Sequence, residues 1–245
     1  MAEISSPLTR GIIISFPSTM AVSFVFLAIT LGSDKLLPNL PGVYYSLLGS
    51  VLYVLSFSMF AQKFASNSVL SIALTVVVSS LAWLIVPMLS RELPREISIA
   101  LPTFLIAIAL LQPLFYRYAD KFPLCSQRPM TGLREFLFRV IFSGTIISAA
   151  IIFAKLIGPF WGAVIGGTYP VALGSQMMIF RRKYPPQYLP SVIRTVPVGV
   201  TSTAAYATVV SFAYPKIGII AGTFLAFVVS FCVSKLVMKF FGRKK

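Results

Sequence analysis

The sequence contains no histidine and few acidic residues, and this shortage disfavours most familiar catalytic and metal centres. Histidine is the commonest general base near neutral pH and the commonest zinc ligand in proteins. Neither a Walker-type phosphate loop nor a GxSxG nucleophile motif occurs. We therefore expect no enzyme activity, no cofactor and no metal ion. The six acids are Glu3, Asp34, Glu92, Glu96, Asp120 and Glu135.

Cysteine and charge are also scarce, whereas apolar residues are abundant. Cys125 and Cys232 lack CxxC spacing and fall in a predicted loop and a predicted membrane helix, so no disulfide is expected. Apolar residues make up 57% of the 245 positions and charged residues 11%, and the mean hydropathy is +0.89. Soluble domains carry roughly 25% charged residues. The sequence thus predicts an all-α, polytopic transmembrane helix bundle.

Eight segments are long and apolar enough to be membrane-spanning helices. Crossing the hydrocarbon core takes about 20 predominantly apolar residues. Short connections rich in proline, glycine and charge separate the segments. We number them span 1 to span 8, in the order 11–32, 42–62, 68–90, 97–116, 136–157, 159–180, 190–214 and 217–238.

The basic residues predict how the chain is oriented in the membrane. With the N-terminus inside and eight crossings, sixteen Lys and Arg residues lie on the inner side. The five on the outer side are Lys35, Arg91, Arg95, Lys155 and Lys216. This asymmetry predicts a cell-membrane protein with both termini in the cytoplasm. It also accounts for the net charge of +15 without nucleic acid, and predicts contact between the inner face and anionic lipid headgroups.

The chain resembles itself at an offset of 153 residues, which predicts an internal repeat. Spans 1–3 then overlay spans 6–8, and the shift of five spans, an odd number, predicts opposite topologies for the two copies. The predicted organisation is a first repeat (1–90), linker spans 4 and 5 with a basic loop (91–158) and a second repeat (159–245). The alternative is an old duplication kept only for packing. The supporting matches are Ser15-Phe16-Pro17 with Thr168-Tyr169-Pro170, Tyr53 with Tyr206, Ser58 with Ser211, Lys63 with Lys216, Ala73 with Ala226 and Val76 with Val229.

One motif resembles a known family. The stretch Tyr169-Pro-Val-Ala-Leu-Gly174 is followed by a short charged loop, a helix rich in serine and threonine, and a last helix that contains glycine. In this pattern the region from Trp161 to Met238 is similar to the GlpM-like small inner-membrane proteins, four-helix chains of unknown biochemical activity. Phe16-Pro-Ser-Thr-Met-Ala21 repeats the motif near the N-terminus. The chain departs from the family because it is a fused pair with three matching helices per copy. The resemblance implies a membrane fold and no particular activity.

Pro17 and Pro170 are the strongest candidates for a site. A proline within a helix removes one hydrogen bond and frees a carbonyl, which in lipid must be satisfied by a neighbour or by water in a cavity. Equivalent broken helices near the membrane midplane are typical of transporter binding sites. The alternative is a pair of kinks without a ligand. The predicted substrate-binding residues around the two prolines are Ser15, Pro17, Ser18, Thr19, Thr168 and Pro170.

Gln176 and Arg194 complete the predicted substrate-binding set. Gln176 lies deep in span 6 and needs a partner, either in a pore or, as we favour, across a helix interface. Gln112 in span 4 has the same two alternatives. Arg194 either faces an anionic substrate or, as we favour, extends its guanidinium to lipid phosphates.

The leading functional prediction is a small permease or channel-like transporter for a neutral or anionic solute. No acidic residue lies within a span, so a proton-coupled pump is disfavoured. The main alternative is a non-catalytic membrane scaffold or accessory subunit, with a second copy of the chain or another membrane protein as its partner. A lipid-acting enzyme is the least favoured interpretation.

Overall fold

The computed structural model describes residues 16–64, 68–123 and 132–241. Throughout these ranges the regular elements are helices, which confirms the all-α prediction. Short 3-10 turns occur at Leu37–Asn39 and Pro186–Tyr188. The α-helices are α1 Ser18–Leu31, α2 Ser33–Leu36, α3 Leu40–Lys63, α4 Val69–Ser90, α5 Ile97–Ala119, α6 Leu133–Ile157, α7 Pro159–Thr168, α8 Val171–Lys183, α9 Leu189–Ile193 and α10 Val196–Phe241.

Several helices have the length and apolar character of membrane spans. Within the described ranges five qualify: the continuous stretch Ser33–Lys63, α4, α5, α6 and α10. The pair α7 and α8, bent by 41° at its junction, makes a sixth. The molecule thus has the helices of a multi-pass membrane protein, although fewer continuous helices than the eight spans predicted. The difference arises because α1 has only 14 described residues and because spans 7 and 8 join in α10.

Helix α10 is a hairpin of two arms and not one straight rod. Gly218 has a positive φ of 80°, and Pro215 just before it has no N–H to donate. The Ser230 hydroxyl donates to the Ser202 carbonyl at 2.9 Å although the two residues are 28 positions apart. In a straight helix they would be about 42 Å apart. The arms, 196–217 and 219–241, therefore pack side by side at the places predicted for spans 7 and 8.

The core is formed by α3 and the first arm of α10, whereas apolar side chains cover the outside. Tyr53 on α3 and Tyr206 on the first arm are both fully buried. On the periphery, Val69 of α4 is 85% exposed and Ile220 of the second arm 87% exposed. In α6, only Ala150 and Ala154 are buried. Apolar exposure on this scale marks a surface that lies against lipid or another protein.

Polar contacts show at which of the two ends of the bundle the connections between helices lie. At one end, the Tyr45 hydroxyl donates to the Pro94 carbonyl at 3.2 Å, and Arg95 lies 5.2 Å above the Phe160 ring. We name this the Tyr45 end. At the other, the Phe64 end, the contacts are Arg181 Nη2 to the Phe64 carbonyl at 2.9 Å, Gln62 Nε2 to the Tyr118 hydroxyl at 2.8 Å, and Lys183 Nζ to Glu135 Oε1 at 3.0 Å. It follows that α3 and the pair α7–α8 run in the same direction, from the Tyr45 end to the Phe64 end.

Candidate functional site

The two aromatic-proline motifs form the same backbone turn. Pro17 has φ −76° and ψ 36°, and Pro170 has φ −80° and ψ 64°. The N–H of Ser18 donates to the Phe16 carbonyl at 2.8 Å, and the N–H of Val171 donates to the Tyr169 carbonyl at 2.8 Å. A bond between residues two apart around such a residue is an inverse γ-turn. Each proline thus precedes the first residue of a helix, α1 or α8.

Both turns line one cavity of about 50 Å³. One water molecule needs about 10–15 Å³ measured in this way, so the space holds a few waters or a small solute. From the predicted set, Pro17, Thr19, Thr168 and Pro170 lie on its wall. The side chains that the structure describes around it are all uncharged. The two prolines, far apart in sequence, therefore lie on the wall of one cavity.

Part of the cavity wall is built from pairs of residues that the predicted repeat would make equivalent. Six pairs of wall residues are separated by 153 positions, the offset found in the sequence. Gly166, Gly167 and Thr168 also line it, and their equivalents, 13–15, lie outside the described residues. The pairs are Phe16 and Tyr169, Pro17 and Pro170, Thr19 and Ala172, Met20 and Leu173, Leu47 and Val200, and Ser50 and Thr203.

The last helix of each half follows a different offset, and this corrects the predicted alignment. On α4 the buried positions include Ser71, Thr75 and Ser79. On the second arm of α10 they include Gly222, Ala226 and Ser230, which gives an offset of 151. The predicted matches of Ala73 with Ala226 and of Val76 with Val229 are therefore wrong, because they pair different helix faces. The cause is turn length: residues 64–68 lie between Lys63 and the start of α4, whereas the backbone after Lys216 already reverses at Gly218.

The break between α7 and α8 exposes backbone groups to the cavity. Pro170 has no N–H, so the carbonyl of Gly166 lacks its usual helical donor. The carbonyl of Gly167 loses its donor too, because the N–H of Val171 turns to Tyr169. Ser50 of α3 donates its hydroxyl to the Thr168 carbonyl. The cavity wall thus offers acceptors beside the first N–H groups of α1 and α8, which carry no side-chain caps.

Close packing holds α7 against α1 beside this break. A Cβ atom on Gly166 would lie 2.8 Å from the Ser23 Cβ. One on Gly167 would lie 2.9 Å from the Phe24 ring. Glycine is therefore required at both positions for the two helices to approach this closely.

One predicted site residue near the prolines lies away from the cavity, and another lies outside the described residues. Ser18 is exposed on the outward face of the first turn of α1 and does not line the cavity. Helical rotation of 100° per residue turns it away from the face that carries Thr19. Ser15 lies outside the described residues.

Gln176 and Arg194 also lie away from the cavity. Gln176 accepts a hydrogen bond from Arg139 Nη2 at 2.8 Å, which is the interhelical contact that the sequence favours. Arg194 forms an ion pair with Asp120 at 2.8 Å and lies 4.7 Å above the Tyr116 ring. At the Phe64 end, Asp120 at the end of α5 is thus a protein partner for the Arg194 guanidinium, for which the sequence favoured lipid phosphates and left an anionic substrate as the alternative.

Three polar residues with defined positions in the structure, Ser50, Thr203 and Gln112, are absent from the predicted set. Ser50 and Thr203 lie on the cavity wall, and their separation of 153 residues is the signal that identifies them. Gln112 has a structural role, since its Nε2 donates to the Arg194 carbonyl at 2.9 Å and its Oε1 accepts from the Val198 N–H at 3.1 Å. It thereby bridges the break between α9 and α10.

Comparison of the chain with protein-family models, with curated proteins and with solved structures finds no match. The resemblance to the GlpM-like proteins stays a prediction that depends on the aromatic-proline motifs. The functional argument accordingly depends on the cavity and on the residues around it.

Proposed function

We propose that this protein is a small permease or channel-like transporter of the cell membrane for a small polar solute, neutral or anionic. The observation that carries this proposal is the cavity between the two proline turns, whose wall residues pair at the offset of the internal repeat. A binding site between two related halves is the usual arrangement in secondary transporters.

The proposal includes eight membrane crossings. They are span 1, of which α1 is the described helix, α3, α4, α5, α6, the bent pair α7–α8, and the two arms of α10. The contacts that gather alternate connections at the Tyr45 end and the Phe64 end support this up-and-down order. The sixteen-to-five distribution of Lys and Arg supports an orientation with the Phe64 end and both termini in the cytoplasm, beside anionic headgroups.

The inverted relation of the halves is supported by the directions of α1 and α8. Both helices begin at the cavity, after Pro17 and Pro170. From there α1 leads to the Tyr45 end, because its last residue, Leu31, is followed closely by the start of α3. Helix α8 leads to the Phe64 end, where its Arg181 contacts Phe64. Two half-helices that leave one cavity in opposite directions support a twofold axis in the membrane plane.

The chemistry of the wall indicates the class of solute. Hydroxyl and backbone N–H groups donate hydrogen bonds, the described wall carries no carboxylate, and the available volume is small. A cation would lack a counter-charge there, so a neutral molecule or a small anion is favoured.

The test is solute flux into liposomes that contain the purified protein. Stopped-flow light scattering with glycerol and urea measures neutral solutes, and chloride and nitrate uptake measures anions. We expect the wild type to pass at least one probe. T203L should abolish that flux, because leucine fills the cavity, whereas T145L places the same change on the exposed face of α6 and should leave flux intact.

Two results would overturn the transport proposal. One is a wild-type protein that passes none of the four probes, and the other is equal flux in T203L and T145L. Either result, with a membrane protein that co-purifies in fixed stoichiometry, would favour the scaffold alternative.

A further inference from the structure

Helix α6 packs closely against the bundle along its second half but not along its first. Its buried residues are Ala150 and Ala154. They lie beside α7, where a Cβ on Gly166 would be 3.4 Å from the Ala150 Cβ. Between Leu133 and Ala149 no residue of α6 is buried. The half of α6 nearer the Phe64 end therefore leaves a surface open beside the bundle.

One face of this first half carries polar contacts with α8. Glu135 and Arg139 are four residues apart, so they share a helix face. Glu135 Oε1 pairs with Lys183 Nζ at 3.0 Å, and Arg139 Nη2 donates to Gln176 Oε1 at 2.8 Å. We name the border between the first two turns of α6 and the last turns of α8 the α6–α8 seam.

The α6–α8 seam carries an excess of positive charge. Glu135 is the one carboxylate that the described residues contribute to it. Asp120, the other acid described at the Phe64 end, pairs with Arg194. A negatively charged partner is therefore complementary to the seam. Its five cationic residues are Arg134, Arg139, Arg181, Arg182 and Lys183.

Two of these cations are available to a ligand. Arg134 and Arg182 are exposed, and within the described ranges neither side chain forms a hydrogen bond or an ion pair. They are the chain neighbours of Glu135 and Lys183, whose ion pair brings the two helices together at this point. One anionic group at the seam can therefore interact with both arginines.

Apolar side chains continue along α6 from Arg134. Leu137, Phe138 and Ile141 follow it by three, four and seven positions, which places them on its face of the helix. Their exposed fractions are 48%, 40% and 68%. A cation followed by an exposed apolar stripe is complementary to a phosphate headgroup with an acyl chain. A small soluble anion would leave the stripe unused.

We propose that the α6–α8 seam binds one anionic phospholipid, with its phosphate at Arg134 and Arg182 and an acyl chain along Leu137, Phe138 and Ile141. Basic sites between transmembrane helices on the cytoplasmic side bind anionic headgroups in this way. The inference rests on the orientation in the proposed function, in which the Phe64 end lies at the inner leaflet. It goes further, because general contact with headgroups requires no particular residues, whereas this site requires two named arginines.

Bound at the seam, the lipid stabilises the attachment of α6 to α8. The test is thermal unfolding of the purified protein in vesicles of phosphatidylcholine alone and of phosphatidylcholine mixed with phosphatidylglycerol. We expect phosphatidylglycerol to raise the melting temperature of the wild type by about 5 °C. R134Q/R182Q should lose most of this rise, because glutamine keeps a polar side chain but removes the charge.

R117Q/K121Q is the matched control. It also removes two exposed cations at the Phe64 end, but they lie at the end of α5, which packs against α3, α9 and α10. This variant should keep the rise. Equal loss of the rise in the two double variants would overturn the site, because it would show a general effect of surface charge. A wild type without any rise would overturn it as well.

A third arm separates a lipid from a soluble anion. Glycerol 3-phosphate is added to the protein in phosphatidylcholine vesicles, and we expect no rise. A rise equal to that with phosphatidylglycerol would overturn the lipid site in favour of an anion site. If the double variant does not reconstitute, R134Q and R182Q decide singly, and each should lose about half of the rise. Solute flux is not measured, so this inference and the transport proposal fail separately.

Discussion

The two proline turns have the same backbone and different surroundings. Around Pro17, Phe16 stacks on Phe227 and has no hydroxyl. Around Pro170, Tyr169 packs edge-on against Trp83, at 5.1 Å, and bonds Ser80. The comparison teaches that the cavity depends on backbone geometry that both halves share, whereas the side chains make its two sides chemically unequal.

The helical hairpins of the two halves differ in how closely their helices pack. Gly49 of α3 lies where a Cβ would be 2.8 Å from the Trp83 backbone oxygen of α4. Its equivalent at offset 153 is Ser202, which carries a side chain and accepts from Ser230. The hairpin of α3 and α4 is therefore packed more closely than the hairpin of the two α10 arms, and it tolerates added side-chain volume less well.

Exchange of these two residues should give the largest effect on stability. We expect G49S to destabilise by about 1–3 kcal/mol, because the obstructing Trp83 atom is backbone and cannot rotate away. S202G should cost about 0.5 kcal/mol, the difference in helix propensity. Denaturant titration in detergent measures both.

A glycine in open space is the control. A Cβ atom on Gly144 of α6 would meet no other atom of the described chain within 4 Å, so G144A should stabilise by about 0.5–1 kcal/mol. Equal destabilisation by G49S and S202G would show that the two hairpins pack alike.

The second prediction concerns the break between α9 and α10, which the side chain of Gln112 on α5 bridges. Q112L removes both hydrogen bonds to the α9–α10 junction and should destabilise by about 2 kcal/mol. Q62L removes an amide contact with Tyr118 at the Phe64 end and should cost about 1 kcal/mol. The same unfolding titration applies, and a smaller loss for Q112L than for Q62L would contradict the bridging role.

The smallest effect should come from making the two turns alike. Y169F removes the bond to Ser80 and should lower stability by about 1 kcal/mol. F16Y adds a hydroxyl to a half-buried ring and should change stability by less than about 0.5 kcal/mol. If F16Y lowers the melting temperature more than Y169F does, the polar and apolar character assigned to the two turns is wrong.

Hydropathy and local motifs predicted the parts of the fold that depend on short stretches of chain. Apolar length located the helices, and the short connection predicted between spans 7 and 8 coincides with the reversal that separates the two arms of α10. The aromatic-proline motif identified Pro17 and Pro170, which the structure brings to one cavity.

The other features of the fold and of the candidate site depend on contacts between segments far apart in sequence, which the sequence alone does not show. Arg194 meets Asp120, and Gln176 meets Arg139, because helices far apart in sequence lie side by side. The offset of 151 in the last helix is set by the face that packs against the rest of the bundle. Hydropathy is nearly uniform around these helices, so the sequence does not show which face that is. The position of Ser50 and Thr203 on the cavity wall likewise depends on how the two core helices pack against the proline turns.

The inverted relation of the two halves is tested most directly at Lys63 and Lys216, which are equivalent at offset 153. In a C125S/C232S background, K63C and K216C are treated with a membrane-impermeant maleimide in intact cells and in inverted vesicles. We predict that K63C reacts only from the cytoplasmic side and K216C only from the outside. Reaction of both from the same side would contradict the account.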